Sequence, residues 1–170
     1  SIVPTLINGD KVVFQSNVII EYLDEVYPET SLRPETAAQR ALMRQWMHDE
    51  QTFLFPLIVT MSFNLMMTLR EKAYGMEQLQ IWSKKHPDQA RAQDYLNRVS
   101  SPIDQVALDQ AIEKFRWHME RLEKQIVISG GPWICGKDYS LADTSIAPLL
   151  DRIEYLDLLS VLEKCPRVKE

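Results

Sequence analysis

Cysteine, histidine and surplus positive charge are all scarce in this chain, and each scarcity removes a class of function. The two cysteines, Cys135 and Cys165, form no Cys-x-x-Cys pair and have no histidine at ligand spacing. A disulfide framework or a zinc ribbon is therefore not expected, and a thiol-reduced, cytoplasmic setting is. His48, His86 and His118 are scattered, so no metal centre is expected. Nineteen Lys and Arg against 24 Asp and Glu leave a net charge of −5. Nucleic-acid binding needs concentrated cations, so no nucleic-acid partner is expected. A long apolar run is also missing. Phe53 to Met67 is interrupted by Pro56, Thr60, Ser62 and Asn64, too short and too polar a stretch to span a bilayer. Ser1 is followed at once by strand-like sequence, not by a charged and then apolar leader, so neither a signal peptide nor a membrane partner is expected.

What is present is ordinary for a globular protein: 45% hydrophobic and 25% charged residues over 170 positions. That length holds one domain, or a small domain joined to part of another. Thr5-Leu6-Ile7 and Val12-Val13-Phe14 are β-prone runs separated by Asn8-Gly9-Asp10-Lys11, and Asn-Gly is a strong hairpin signal. An isolated hairpin is marginal, so these strands are expected to extend a larger sheet. Ser16 reads as the N-cap of a helix carrying Val18, Ile19, Tyr22, Leu23 and Val26 at helical spacing, ended by Pro28.

Beyond a linker at 29–35 the β signals almost vanish. Ala41, Leu42, Trp46 and Met47 open a long apolar-periodic helix continuing through Phe53, Leu57, Ile58, Met61, Leu65 and Leu69. Pro56 is expected to kink or break it. Residues 70–100 read as the end of that helix, shorter helical pieces and a turn at His86-Pro87. Ser101 as N-cap, with Pro102 at the first position, predicts the next helix start. Its buried face is Leu108, Ile112, Phe115, Met119, Leu122 and Ile126, and Gly130-Gly131-Pro132 stops it. Ser140-Leu141-Ala142-Asp143 opens another helix through a capping box, and a last helix is predicted from about Asp151 to Leu162. The fold class is thus a small α/β piece followed by an all-helical domain.

Three stretches, in this order, resemble the cytosolic glutathione transferase superfamily: Val3-Pro4-Thr5-Leu6 before the Asn-Gly hairpin; Phe14-Gln15-Ser16-Asn17 with Ile19-Ile20-Glu21-Tyr22-Leu23; and Gly136-Lys137-Asp138-Tyr139-Ser140-Leu141-Ala142-Asp143, with Pro148 beyond. The resemblance implies that residues 1–28 are the later part of a thioredoxin-like glutathione-binding domain and residues 36–170 the all-α domain. It implies a cis Pro4, with the backbone of Val3 facing the peptide backbone of glutathione. Ser16 is then expected to hold the γ-glutamyl carboxylate. Gln15, where relatives more often carry Glu, would accept from the ligand's ammonium. Ser140 and Asp143 are expected to be structural, and the methionines Met43, Met47, Met61, Met66 and Met67 to be core. Met47, Gln51 and Phe55 are candidates to line an electrophile pocket. The implied activity is transfer of the glutathione thiolate onto an electrophilic small molecule, with glutathione as co-substrate, no metal, and a homodimeric assembly. The thiol-activating residue is expected upstream of Ser1. Ile19 to Glu25 and Ala147-Pro148-Leu149-Leu150 with Arg152 also resemble the stringent-starvation regulators of the same fold, so a non-catalytic binding module is the alternative.

Overall fold

A computed structural model describes residues 3–170, with the backbone alone for 67–73; Ser1 and the side chains of Met67 and Leu69 lie outside the described residues. The chain opens with β1 (Thr5–Asn8) and β2 (Lys11–Phe14), an antiparallel pair in which Thr5 faces Phe14 and Asn8 faces Lys11. The reversal is a two-residue turn, Gly9–Asp10, so Asn8 closes the strand. Helix α1 (Ser16–Val26) follows, and the Asn8 side-chain amide donates to the Tyr22 hydroxyl at 3.1 Å, pinning the hairpin to it. Ile7, Val12, Phe14 and Val18 are exposed, as two strands have too little surface to cover their own apolar side chains.

Asp24, buried on α1, organises the crossing to the helical part. Its carboxylate accepts from the Leu32 N–H (2.5 Å) and the Ser31 hydroxyl (3.0 Å), and pairs with Arg33 at 2.6 Å. The Leu141 N–H in turn donates to the Leu32 carbonyl at 3.2 Å. Thr36 caps α2 (Ala37–Asp49), accepting from the Gln39 N–H at 3.2 Å. The long helix does not break at Pro56. A π turn, Glu50–Leu54, joins α2 to α3 (Phe55–Tyr74), and the Phe55 N–H reaches back to the Glu50 carbonyl. Proline has no N–H for the carbonyl four residues before it and its ring crowds that carbonyl. The wider turn just upstream absorbs the mismatch.

Helices α4 (Met76–Lys85) and α5 (Gln89–Ser100) pack on α3 and on each other. Helix α6 (Gln105–Ser129) starts at Asp104, which accepts from the Ala107 N–H at 2.9 Å; Ser101 instead ends α5. The Ser101 hydroxyl is spent on the Asn97 carbonyl at 2.7 Å, and a carboxylate suits the positive helix end better than a hydroxyl. Gly130, in the left-handed conformation, terminates α6 as its sequence position indicates. Helix α7 (Leu141–Tyr155) runs unbroken through Pro148 and Asp151, so the separate helix expected from Asp151 does not exist. Asp157 at φ 59 closes that region, leaving a 3₁₀ turn at Leu159–Leu162 and the short α8 (Pro166–Lys169).

The core lies between α2, α3, α6 and α7, where Met43, Leu54, Met61, Phe115, Met119 and Ile153 are fully enclosed. Among the described residues no helix is long and apolar enough to cross a membrane.

Candidate functional site

The antiparallel register carries the first site residues together. With Thr5 opposite Phe14, the exposed Val3 and Pro4 run beyond the ladder alongside Gln15 and Ser16. The Val3–Pro4 peptide bond is cis. Gln15 stands at φ 69, ψ 125 and occupies the N-cap of α1, so Ser16 is the first helical residue and not the cap. A side chain other than glycine in that left-handed region costs about 1–3 kcal/mol, and such strain concentrates where a backbone is shaped for a ligand. The Gln15 carbonyl accepts from the Ile19 N–H at 2.9 Å, but Gln15 makes no side-chain cap and no acidic residue stands in the first turn. The free N–H groups of this turn and the positive end of an 11-residue helix dipole therefore face outward uncompensated. An anionic group fits there.

Directly behind Ser16 lies a polar cluster that local sequence reasoning missed. The Asn17 amide donates to the Met47 carbonyl at 2.8 Å and to Glu50 Oε2 at 3.0 Å. The Ser145 hydroxyl reaches Asn17 Oδ1 at 2.9 Å and Glu50 Oε2 at 3.2 Å. Three elements far apart in sequence, α1, the π turn and α7, meet in this cluster. Glu50 is 7% exposed. Burial pushes its carboxyl above the ordinary value, and the bonds from Asn17 and Ser145 pull in the other direction. The π turn is what aims this carboxylate inward, and no periodicity in the sequence announces a buried acid.

Other candidates separate cleanly. Met47 is buried, so it backs the cluster and offers no surface to a substrate, whereas Gln51 and Phe55 are exposed. Met43 and Met61 are core, and Met66 is half-buried. Cys135 and Cys165 are enclosed, and burial pushes both thiols up, the opposite of what a nucleophilic thiol requires. Ser140 and Asp143 close a capping box. The Asp143 carboxylate accepts from the Ser140 N–H (2.9 Å), the Ser140 hydroxyl (2.7 Å) and the Ile134 N–H (3.0 Å). It thus ties the Trp133–Gly136 loop to the start of α7 and is fully occupied in doing so.

Comparison with known proteins gives this geometry its setting. Residues 2–25 match the family described as glutathione S-transferase, N-terminal domain, and residues 104–170 match its C-terminal domain. The protein LigF of Sphingobium sp. strain SYK-6 is 29% identical over 143 residues, covering 83% of this chain and 55% of LigF. The crystal structure of that β-etherase superposes with a TM-score of 0.78 at 26% identity, over 98% of this chain and 70% of the other. A stringent starvation protein A homolog from Haemophilus ducreyi is 25% identical, covering 91% of this chain and 53% of its own length. A glutathione transferase family member from Pseudomonas fluorescens, solved with two glutathione bound, shares the fold at a TM-score of 0.65 and 18% identity, over 94% and 56% of the two chains. This chain spans about half the length of the curated relatives it matches.

Proposed function

The chain belongs to the glutathione S-transferase superfamily, and on that premise we propose that it binds glutathione and serves its transfer onto an electrophilic small molecule. The observation that carries the reading is the open N-terminus of α1, strained at Gln15 and flanked by the exposed Val3–Pro4 segment. In this reading the γ-glutamyl carboxylate takes the free N–H groups of the first turn and the Ser16 hydroxyl, a charge-assisted set. Gln15 supplies a neutral acceptor to the ligand's ammonium. The N–H and C=O of Val3 pair with the peptide backbone of glutathione as an added strand would. Residues 1–28 then form the glutathione-binding part and 36–170 the helical domain, joined by 29–35, and a two-fold dimer is the proposed assembly.

Transfer requires the thiolate form of the ligand, since the thiolate is the nucleophile. No residue of this chain is assigned to its activation, and the two buried cysteines are not candidates. What these residues contribute is orientation: two anchored ends hold the tripeptide in one pose, converting a bimolecular encounter into a positioned one.

Calorimetric titration of glutathione into the full-length protein, beside Ser16→Ala, tests the reading. Saturable binding that falls about tenfold or more in the variant supports it, the loss expected of a charge-assisted hydrogen bond. A folded protein that binds no glutathione defeats it. The similarity to the stringent starvation protein A homologs favours one second reading, a non-catalytic module of the same fold, which glutathione binding without turnover of any electrophile would support.

A further inference from the structure

Residues 70–100 carry the least of the family resemblance, yet they build a cavity of about 650 Å³ on the outer side of α4 and α5. That volume lies within the range of small-molecule sites, roughly 300–1,000 Å³. Three aromatic rings form its walls. Trp82 stands 5.1 Å from Tyr95 at an interplanar angle of 59°, and Tyr74 lines the cavity with them. Leu79, buried against Val99 in a small separate core, also lines it. The rim is fixed by the turn between the helices. There Gln89 donates to the His86 carbonyl at 2.5 Å and to the Ser83 carbonyl at 3.3 Å, and Asp88 caps α5 through the Arg91 N–H at 2.9 Å. A preformed pocket loses less entropy on filling than one that must be ordered.

Its charge is one-sided. Among the described residues the lining contains Arg91 and His86 but no Asp or Glu, in a chain whose net charge is −5. Of the acids beside it in sequence, Asp88 is spent on the α5 cap and Asp94 on Arg98, while Glu77 is exposed and outside the lining. The Arg91 guanidinium makes no ion pair among the described residues, unlike Arg33, Arg44, Arg98, Arg116 and Arg121. An exposed, uncommitted arginine beside an aromatic wall matches a flat ring system that ends in a carboxylate. We propose that this cavity binds planar aromatic carboxylates of one or two rings. The site is separate from the α1 N-terminus, because α4 and α5 pack only on α3 and on each other among the principal contacts. It stands whether or not the glutathione reading holds.

The test is equilibrium titration of the full-length protein with 2-naphthoate and, separately, its uncharged analogue 2-naphthamide, each with and without added glutathione. One molecule of 2-naphthoate is expected to bind per chain, with the amide weaker. Arg91→Gln, an exposed change that leaves the fold intact, should weaken 2-naphthoate about tenfold and leave 2-naphthamide unmoved. Trp82→Ala should weaken both. If 2-naphthoate does not bind, if it and the amide bind alike, or if Arg91→Gln alters neither, the proposal is overturned. Binding that survives Trp82→Ala unchanged in a folded variant overturns it equally.

Discussion

Replacing Asn17 by alanine removes the centre of the cluster behind the α1 N-terminus, and its consequences can be worked out in advance. The wild-type side chain donates to the Met47 carbonyl and the Glu50 carboxylate and accepts from Ser145. A hydrogen bond to a charged group contributes about 1.5–3 kcal/mol and a neutral one about 1 kcal/mol. Asn17 is half-buried, so water recovers part of the loss, and about 3 kcal/mol is the expected cost at pH 7. The pH dependence is the sharper test. The Glu50 carboxyl is raised in the fold by burial, so over the window between its unfolded and folded values the native state holds the extra proton. Stability must therefore fall as pH rises through that window and level off above it. Asn17→Ala deletes a bond that favours the ionised form, which raises the carboxyl further. Its deficit should accordingly be larger at pH 8 than at pH 5. Glu50→Gln should flatten the decline, and in the double variant the cost of Asn17→Ala should shrink by about half, because no orphaned charge remains. Urea unfolding of the four proteins at both pH values measures this. A loss under about 0.5 kcal/mol, or one equal at the two pH values, would refute the reasoning.

Two further perturbations follow from the Trp133–Gly136 loop. A Cβ on Gly131 would lie 2.2 Å from the Gly136 carbonyl oxygen, and that carbonyl is held by the Trp133 N–H at 3.1 Å, so Gly131→Ala should cost about 2–3 kcal/mol or more in thermal unfolding. Asp143→Ala strips three hydrogen bonds at once and should lower stability by about 3 kcal/mol, with faster amide exchange at Ile134; unchanged exchange there would contradict the assignment.

The features legible in the sequence were those set by neighbouring residues. The Asn-Gly reversal, the apolar stripe of α6 with its glycine stop, and the Ser140–Asp143 box each depend on residues a few positions apart. The features that escaped notice depend on distance. Glu50 reads locally as one acid among polar neighbours, and only its meeting with Asn17 and Ser145, 33 and 95 positions away, makes it a buried group. Ser16 has the chemistry of an N-cap, but the left-handed backbone at Gln15 moves the helix start by one residue. Ser101 lost its role to Asp104 because a stronger acceptor stands three residues on. A separate helix was expected from Asp151, yet α7 runs on to Tyr155 with Pro148 inside it, and its packing against α1, α2 and α3 outweighs a single missing hydrogen bond.

The π turn at Glu50–Leu54 also bears on how the chain can change in length. Removing one residue from a regular helix rotates everything beyond it by about 100°, which would swing Ile58 and Met61 out of the core. The π turn holds a surplus residue, so a deletion there could relax to ordinary helical pitch and keep both halves in phase. Of the whole span from Ala37 to Tyr74, this is the place where a single-codon loss is survivable for the core, and its cost would fall on the buried Glu50 and on Pro56, whose ring the wider turn accommodates.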